Sequence, residues 1–279
     1  MTKQKIRFII ALILGSVLTG CATSYKKIEL KNEDFTGKPL AITNTVPFVE
    51  QTPKLCGPTA LYMVTKLYRP EITLDEVTQL TFTPAASGTY KQDLLSGARR
   101  LGMAPYKVSS FSQMIDYLAH GTPVILFHRT AFLWKDFWHY SVVTGYNRRT
   151  ETFTLHIGPY EYRETDISDV IGSWMEGGSW SYAVLPPENL PSSVDYQEAL
   201  ENSFAFLRLG NPEAAIQLSE QMLKRWPDRY EADVVMAEAL QGKNDGIKAL
   251  LSLKKALIKK PENLALKQKI RELSKASGG

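Results

Sequence analysis

Cys56, Gly57 and Pro58 stand at the head of a run in which Leu61, Met63, Val64, Leu67 and Tyr68 recur at roughly helical spacing. Proline is well tolerated in a first helical turn, where its missing N–H would have had no partner. The pattern therefore predicts a helix over 58–68 with Cys56 at its N-terminus. The positive end of the helix dipole favours a thiolate there, and the thiolate is the nucleophile of covalent cysteine catalysis. Such a nucleophile needs a base, and the chain offers four histidines. His120 ends a predicted helix before Gly121 and reads as a solvated C-terminal charge. His128 ends a predicted strand, where it could line the edge of a cleft, and His156 falls near the end of another. His139 opens a strand after the aromatic approach of Phe137 and Trp138. Whether Cys56 and a histidine come within hydrogen-bond reach is a question for the structure.

The second of the two cysteines, Cys21, belongs to a different feature. Lys3, Lys5 and Arg7 precede an apolar run over 8–18 that ends in Leu18-Thr19-Gly20-Cys21. The run is well short of the roughly 20 residues needed to span a bilayer. The tetrapeptide resembles a bacterial lipobox, which implies lipidation of Cys21 as the mature N-terminus and stable membrane attachment through several acyl chains. Ala22 next to it, with no aspartate there, points to the outer membrane of a Gram-negative cell and its periplasmic face. With Cys21 lipidated, Cys56 is an unpaired thiol in an oxidising compartment, and catalysis is a reason to keep one.

Removing the three basic residues of the signal lowers the count of Lys and Arg from 33 to 30 against 29 acidic residues. The mature chain is then close to neutral, and nothing argues for nucleic-acid binding. No cofactor or metal is expected. A hydrophobic content of 44% is enough for two domains of ordinary size.

The expected organisation is a signal over 1–20, a lipidated polar tether over 21–45, a catalytic domain over 46–187, a linker over 188–195 and a helical domain over 196–275. Within the catalytic domain, helices are predicted at 58–68, 74–81, 91–101 and 112–119. Strands are predicted at 123–127, 139–146, 153–157 and 181–185, with a hairpin loop over 147–151. Asp166 and Asp169 read as caps of a helix over 165–174. Helices first and antiparallel strands later make an α+β fold. Beyond the linker, Tyr196 recurs as Tyr230, Ala205 as Ala239, Ala215 as Ala249, Leu223 as Leu257 and Pro227 as Pro261, each pair 34 residues apart. That is the period of tetratricopeptide helix hairpins, and Gly210, Ala214 and Pro227 fall where that family keeps small residues and a closing proline. Asn244 and Lys248 depart from it in the second copy. Two repeats and a final helix are short for a free-standing array, so packing on the catalytic domain is expected, with a peptide or protein partner on the repeats or a purely stabilising role.

Gln51, then Cys56-Gly57-Pro58, and later the stretch from His139 to Tyr146 together resemble the bacteriocin-processing (double-glycine) peptidase-like family over about 46–187. With the lipobox and the repeats, the chain resembles a lipoprotein subgroup of it. The resemblance implies a papain-like cysteine peptidase fold with Cys56 as nucleophile, His139 as general base and then acid, and Gln51 as an oxyanion donor, a role worth about 10²–10³ in rate. The family also places an aspartate before proline at the end of the strand after the histidine strand. This chain has Leu155-His156-Ile157-Gly158-Pro159 there, so His156 is the candidate third member. Trp174 and Trp180 are candidates for shielding the pair from water, with core packing as the alternative. Three functions follow: a lipid-anchored cysteine peptidase acting on a peptide or protein, a cysteine amidase or acyltransferase acting on non-protein amides, and a decayed scaffold lipoprotein that binds partners.

Overall fold

The computed structural model describes Lys27, Phe35, residues 38–132 and residues 135–276. The expected signal and Cys21 lie outside these residues. Among the described residues no helix is long and apolar enough to cross a membrane.

The longest strand, β4 (Lys135–Asn147), is the axis around which the other elements are arranged. It pairs antiparallel with β3 (Val124–Phe132) on one side and β5 (Thr152–Ile157) on the other. The sheet runs β2 (Ala104–Lys107), β7 (Ser181–Leu185), β3, β4, β5, β6 (Tyr160–Asp166). Because successive side chains alternate across a strand, each strand feeds two cores. Ile125, Tyr140, Val142 and Val184 meet Ala60, Leu61 and Val64 of α1 (Cys56–Lys66) on one face. Val124, Leu126, Val143, Leu155 and Ala183 meet Met114 and Leu118 of α4 (Phe111–Ala119) and Ile171 of α5 (Ile167–Glu176) on the other. The helices α2 (Leu74–Thr81) and α3 (Lys91–Arg100) complete the α1 side, with Val77 and Leu94 in the same core. Thr73, Ser110 and Asp166 cap α2, α4 and α5 by accepting from backbone N–H groups in the first turn.

The α+β expectation holds, and three strands escaped the sequence reading. The strand β1 (Leu40–Ile42) lies in the stretch assigned to the tether. It takes over beside β4 where β3 stops, pairing Leu40, Ala41 and Ile42 with Asn147, Tyr146 and Gly145. Phe35 is buried in the same core, so the folded domain begins before residue 46. Three residues of β1 are too few to show a period. The edge strand β6 is mostly exposed on both faces, so it shows no alternation either. In β2, Pro105 argues against a strand, yet β2 is an edge strand, where a missing N–H is tolerated.

Past residue 195, among the described residues, come five helices: α6 (Tyr196–Arg208), α7 (Pro212–Arg225), α8 (Glu231–Gly242), α9 (Gly246–Lys259) and α10 (Leu264–Ala276). The paired alanines 34 apart, Ala205 with Ala239 and Ala215 with Ala249, are all buried at helix contacts. Phe206, Leu218 and Val235 share one continuous core with Tyr106, Tyr117 and Val194. Buried Asn202 seals the join, donating to Pro105 O at 3.0 Å and accepting from Arg99 Nε at 2.9 Å. The Glu198 carboxylate accepts the Lys107 N–H at 2.6 Å and so covers the free edge of β2. Arg225 holds the linker through the carbonyls of Leu190, Pro191 and Val194.

Gly145 is the point where β1 crosses β4. A Cβ there would sit 2.2 Å from Ala41 O, a backbone atom with no freedom to rotate away. Gly145→Ala is expected to destabilise the protein by about 1–3 kcal/mol through this overpacking. Urea unfolding measures it, and an unchanged midpoint would mean that β1 does not lie against β4 as described.

Candidate functional site

Cys56 is the first residue of α1, two residues earlier than the predicted start. The close approach that this end of the helix makes to the loop before α3 explains Gly57: a Cβ there would lie 2.7 Å from Thr89 Cβ. Cys56 is buried, at 8% exposure. Burial pushes its pKa up, and the backbone N–H groups of Tyr140, Gly57 and Cys56 itself only partly offset this. The helix terminus acts in the direction the sequence implied, and desolvation outweighs it. The resting group is a neutral thiol.

His139 stands on β4 one residue before Tyr140. Its Nε2 is 2.9 Å from Gln51 Oε1. Gln51 is buried, and every polar atom of its carboxamide is engaged. Oε1 also accepts the Gly158 N–H at 2.8 Å, while Nε2 donates to Cys56 O at 3.1 Å and to Tyr140 O at 3.0 Å. The Gln51 backbone N–H donates to Gly158 O at 3.0 Å. The β4–β5 ladder ends at Val142 and His156, and Gln51 bridges the strands beyond that point. The carboxamide orientation follows from its neighbours, since a backbone N–H faces its oxygen and two carbonyls face its nitrogen. With Oε1 as acceptor, His139 Nε2 must carry the proton, which leaves Nδ1 free to accept one. Burial lowers the His139 pKa to about 4, so the ring is neutral at physiological pH.

The structure thus gathers Gln51, Cys56 and His139 at one place. Gln51 ties the Cys56 carbonyl to the imidazole, and the Tyr140 N–H supports the sulfur from the strand that carries His139. Among the described residues no hydrogen bond joins Cys56 Sγ to His139 directly. His156 is not part of this group. Its Nε2 reaches Val46 O at 3.2 Å and its Nδ1 accepts the Tyr162 N–H at 3.2 Å, so both ring nitrogens are spent holding β6 and the 46–51 segment. His156 therefore does not orient His139. His128 is fully enclosed, with Ser141 Oγ at 2.8 Å and Ser173 Oγ at 3.2 Å, and burial lowers its pKa to about 3. It is a neutral core residue. His120 caps α4, with Nδ1 2.8 Å from Asp116 O. Trp174 is packed in the core, and Trp180 meets Tyr140 edge to face at 5.4 Å.

Tyr140, Gly158 and Thr89 contribute to the site although sequence reasoning gave them no role. Two of them act through backbone atoms, which carry no side-chain signal. Beside Gly57, a cleft of about 650 Å³ runs between Thr89–Asp93 and the rings of Phe127 and Tyr140. Trp138, half exposed, stacks on Phe127 at 5.3 Å and extends the aromatic wall. Another cleft of similar volume, between the linker and α4, includes none of Gln51, Cys56 or His139. Among the described residues no group of His, Cys, Asp and Glu side chains could hold a metal ion. A thiol, a neutral imidazole and the N–H groups of Cys56 and Gly57 at a helix head are parts that acyl transfer requires.

No curated protein matches the chain. Among solved structures, it is similar to one described as a C39-like peptidase from Bacillus anthracis, at 16% identity and TM-score 0.43 over 52% of this chain and 97% of the other. It is also similar to the peptidase domain of Streptococcus ComA, a bifunctional ABC transporter of a quorum-sensing pathway, at 19% identity and TM-score 0.41 over 50% and 98%. A double-glycine-motif protease from an AMS/PCAT transporter, in complex with a leader peptide, matches at 17% identity and TM-score 0.39 over 53% and 98%. The family model of the Peptidase C39 like family matches residues 43–182, half of the chain. The interval contains Gln51, Cys56, His139 and Gly158, and the chain belongs to the Peptidase C39 like family.

Proposed function

We propose that this C39-like peptidase is a cysteine peptidase that cleaves peptide bonds through a thioester formed on Cys56. The observation that carries the reading is the single carboxamide of Gln51 joining the Cys56 backbone to the His139 ring. In the reaction, His139 Nδ1 takes the thiol proton as sulfur attacks the peptide carbonyl. The resulting oxyanion lies at the head of α1, whose first-turn N–H groups have no partner within the helix. Collapse breaks the C–N bond, and the imidazolium returns its proton to the leaving amine. Water, deprotonated by the same Nδ1, then hydrolyses the thioester. Because both groups rest neutral, proton transfer accompanies attack and no thiolate–imidazolium pair precedes it. The substrate is a peptide or protein, and the cleft beside Gly57 suits an apolar side chain against Phe127 and Tyr140.

The same reading covers the rest of the chain. Residues 1–20 form a lipoprotein signal, Cys21 carries the lipid, and the protein faces the periplasm from the outer membrane. The helices after residue 195 act as tetratricopeptide-like repeats that bind a protein partner.

Cys56→Ala is expected to abolish cleavage of a peptide library, and His139→Ala to lower kcat/KM by about 10²–10⁴-fold. Full activity of either variant overturns the peptidase reading. The neutral resting state gives a pH prediction of its own. Alkylation of Cys56 by iodoacetamide should rise about tenfold per pH unit from pH 6 past the ordinary thiol pKa near 8.5. A plateau between pH 5 and 8 would reveal a preformed ion pair instead. For the anchor, globomycin or Cys21→Ala should block maturation and release the protein from membranes, and unchanged processing would refute lipidation.

A further inference from the structure

We propose that the outer face of α9 is a docking surface for a bilayer containing anionic phospholipid. The inference is independent of the reaction at Cys56. The helix is apolar on two sides. On the inner side Ala249, Leu253 and Ala256 are buried together with Leu266 of α10. On the opposite side Ile247, Leu251 and Ile258 are 73%, 53% and 78% exposed. At about 100° per residue these three lie within about 40° of one another, in a stripe roughly 16 Å long. By the same spacing Lys254 borders the stripe on one side, and Lys248 and Lys255 border it on the other. Lys248 pairs with Asp245, whereas Lys254 and Lys255 have no ion pair among the described residues. A surface helix normally turns a polar face to solvent, and one that is apolar on both sides is normally covered on both.

Charge decides what covers this face. Residues 243–276 hold ten Lys and Arg against three Asp and Glu. With the three basic residues of the expected signal set aside, 20 basic against 26 acidic residues remain over 21–242. The excess of positive charge therefore sits on α9, α10 and the turns beside them, and the occupant that complements it is anionic. Composition then separates a lipid from a protein. Protein interfaces gather Tyr, Trp, Phe, Met and Arg at their centres and are poor in Lys. The stripe and its margins hold only Ile, Leu and Lys. Aliphatic side chains flanked by lysines suit the headgroup region of a bilayer: the lysine stems lie along the acyl boundary while the ammonium groups reach the phosphates. Leu264, 77% exposed at the start of α10, adds a fourth aliphatic side chain to the same basic segment. Because the helical segment shares a core with the sheet, seating α9 on a bilayer sets the orientation of the catalytic domain above it.

The test uses residues 22–279, which keep every described residue and carry no lipid. This protein should co-sediment with vesicles of equal parts phosphatidylglycerol and phosphatidylcholine, and not with phosphatidylcholine alone. Raising the salt from about 0.1 M to 1 M shortens the Debye length from about 10 Å to 3 Å and should weaken binding at least about tenfold. Lys254→Gln with Lys255→Gln should lower the partition coefficient about tenfold or more. Replacing Ile247, Leu251 and Ile258 together by Gln should lower it by a similar factor, about tenfold. All five side chains are exposed, so circular dichroism should not change. No binding to the anionic vesicles, or binding that both variants leave intact, overturns the proposal. Binding that only the lysine variant weakens reduces the contact to general charge attraction and removes the stripe from it. Equal affinity for poly-glutamate assigns the face to an acidic polypeptide instead. A dimer in sedimentation equilibrium that the Gln variant dissociates, with no vesicle binding, assigns it to a second copy of the chain. If a variant fails to fold, the comparison of the two vesicle compositions with the unaltered sequence decides.

Discussion

A buried amide with every hydrogen bond made is the constraint on which the site depends. A carboxamide taken out of water is costly unless each donor and acceptor finds a partner. Gln51 meets that condition only if three separate pieces of chain are held at once: the start of α1, the Tyr140 position of β4, and Gly158 beyond the end of β5. His139 is the fourth partner, reached through the oxygen that Gly158 also uses. The requirement works in both directions. The carboxamide orients the imidazole, and the need to satisfy the carboxamide fixes the helix against the strand. Removing one partner strands the others in a dry pocket, so the geometry of the site and local stability are the same quantity here.

Desolvation also sets the chemistry. A cysteine at a helix N-terminus is commonly read as a thiolate, and the N–H groups of Cys56, Gly57 and Tyr140 do act in that direction. With the thiol enclosed by α1 and β4, loss of water contributes more than those dipoles, and the charged form is disfavoured. The same enclosure holds His139 neutral. In the proposed reaction, two groups that each resist charge exchange a proton only at the moment of attack, when the developing oxyanion meets the helix head. Keeping the thiol protonated also slows its oxidation, since oxidants attack the thiolate. That matters for an unpaired cysteine if the protein works where disulfides form.

How much of this was legible in the sequence depends on whether side chains or backbone carried it. The helix over Cys56 showed because Leu61, Val64 and Leu67 repeat at its period and Pro58 marks its first turn. The central strands showed because Val142, Val143 and Tyr146 form an apolar run buried on both faces. Asp166 was legible as a cap from its type and place. Short β1 and the mostly exposed β6 carry no period, and a proline disguised β2. His156 drew attention as the histidine nearest the missing aspartate, yet its ring faces Val46 and Tyr162. One residue of pleat or bulge decides which way such a ring points, and the β4–β5 register does shift, between Val143 and Gly145. Gln51 was singled out from the resemblance together with Cys56 and His139, but its partners Tyr140 and Gly158 were not, because they act through backbone atoms.

The helical segment bears on the site through its attachment. It shares a core with the sheet: Phe206 and Leu218 lie in the same cluster as Tyr106 and Leu126, and Asn202 bonds the strand edge and α3 together. The same α3 opens with Lys91, whose Nζ lies over Phe127 at 4.5 Å and donates to Gly177 O at 2.8 Å, on the wall of the cleft beside Gly57. One helix therefore touches the helical segment at its C-terminal end and the cleft at its N-terminal end. A rigid α-helix transmits displacement along its axis far better than a loop does, because its backbone bonds are all internal. The contacts of α6 with Arg99 and of Lys91 with the aromatic wall are thus joined by a single helix that makes none of the hydrogen bonds of the Gln51 carboxamide.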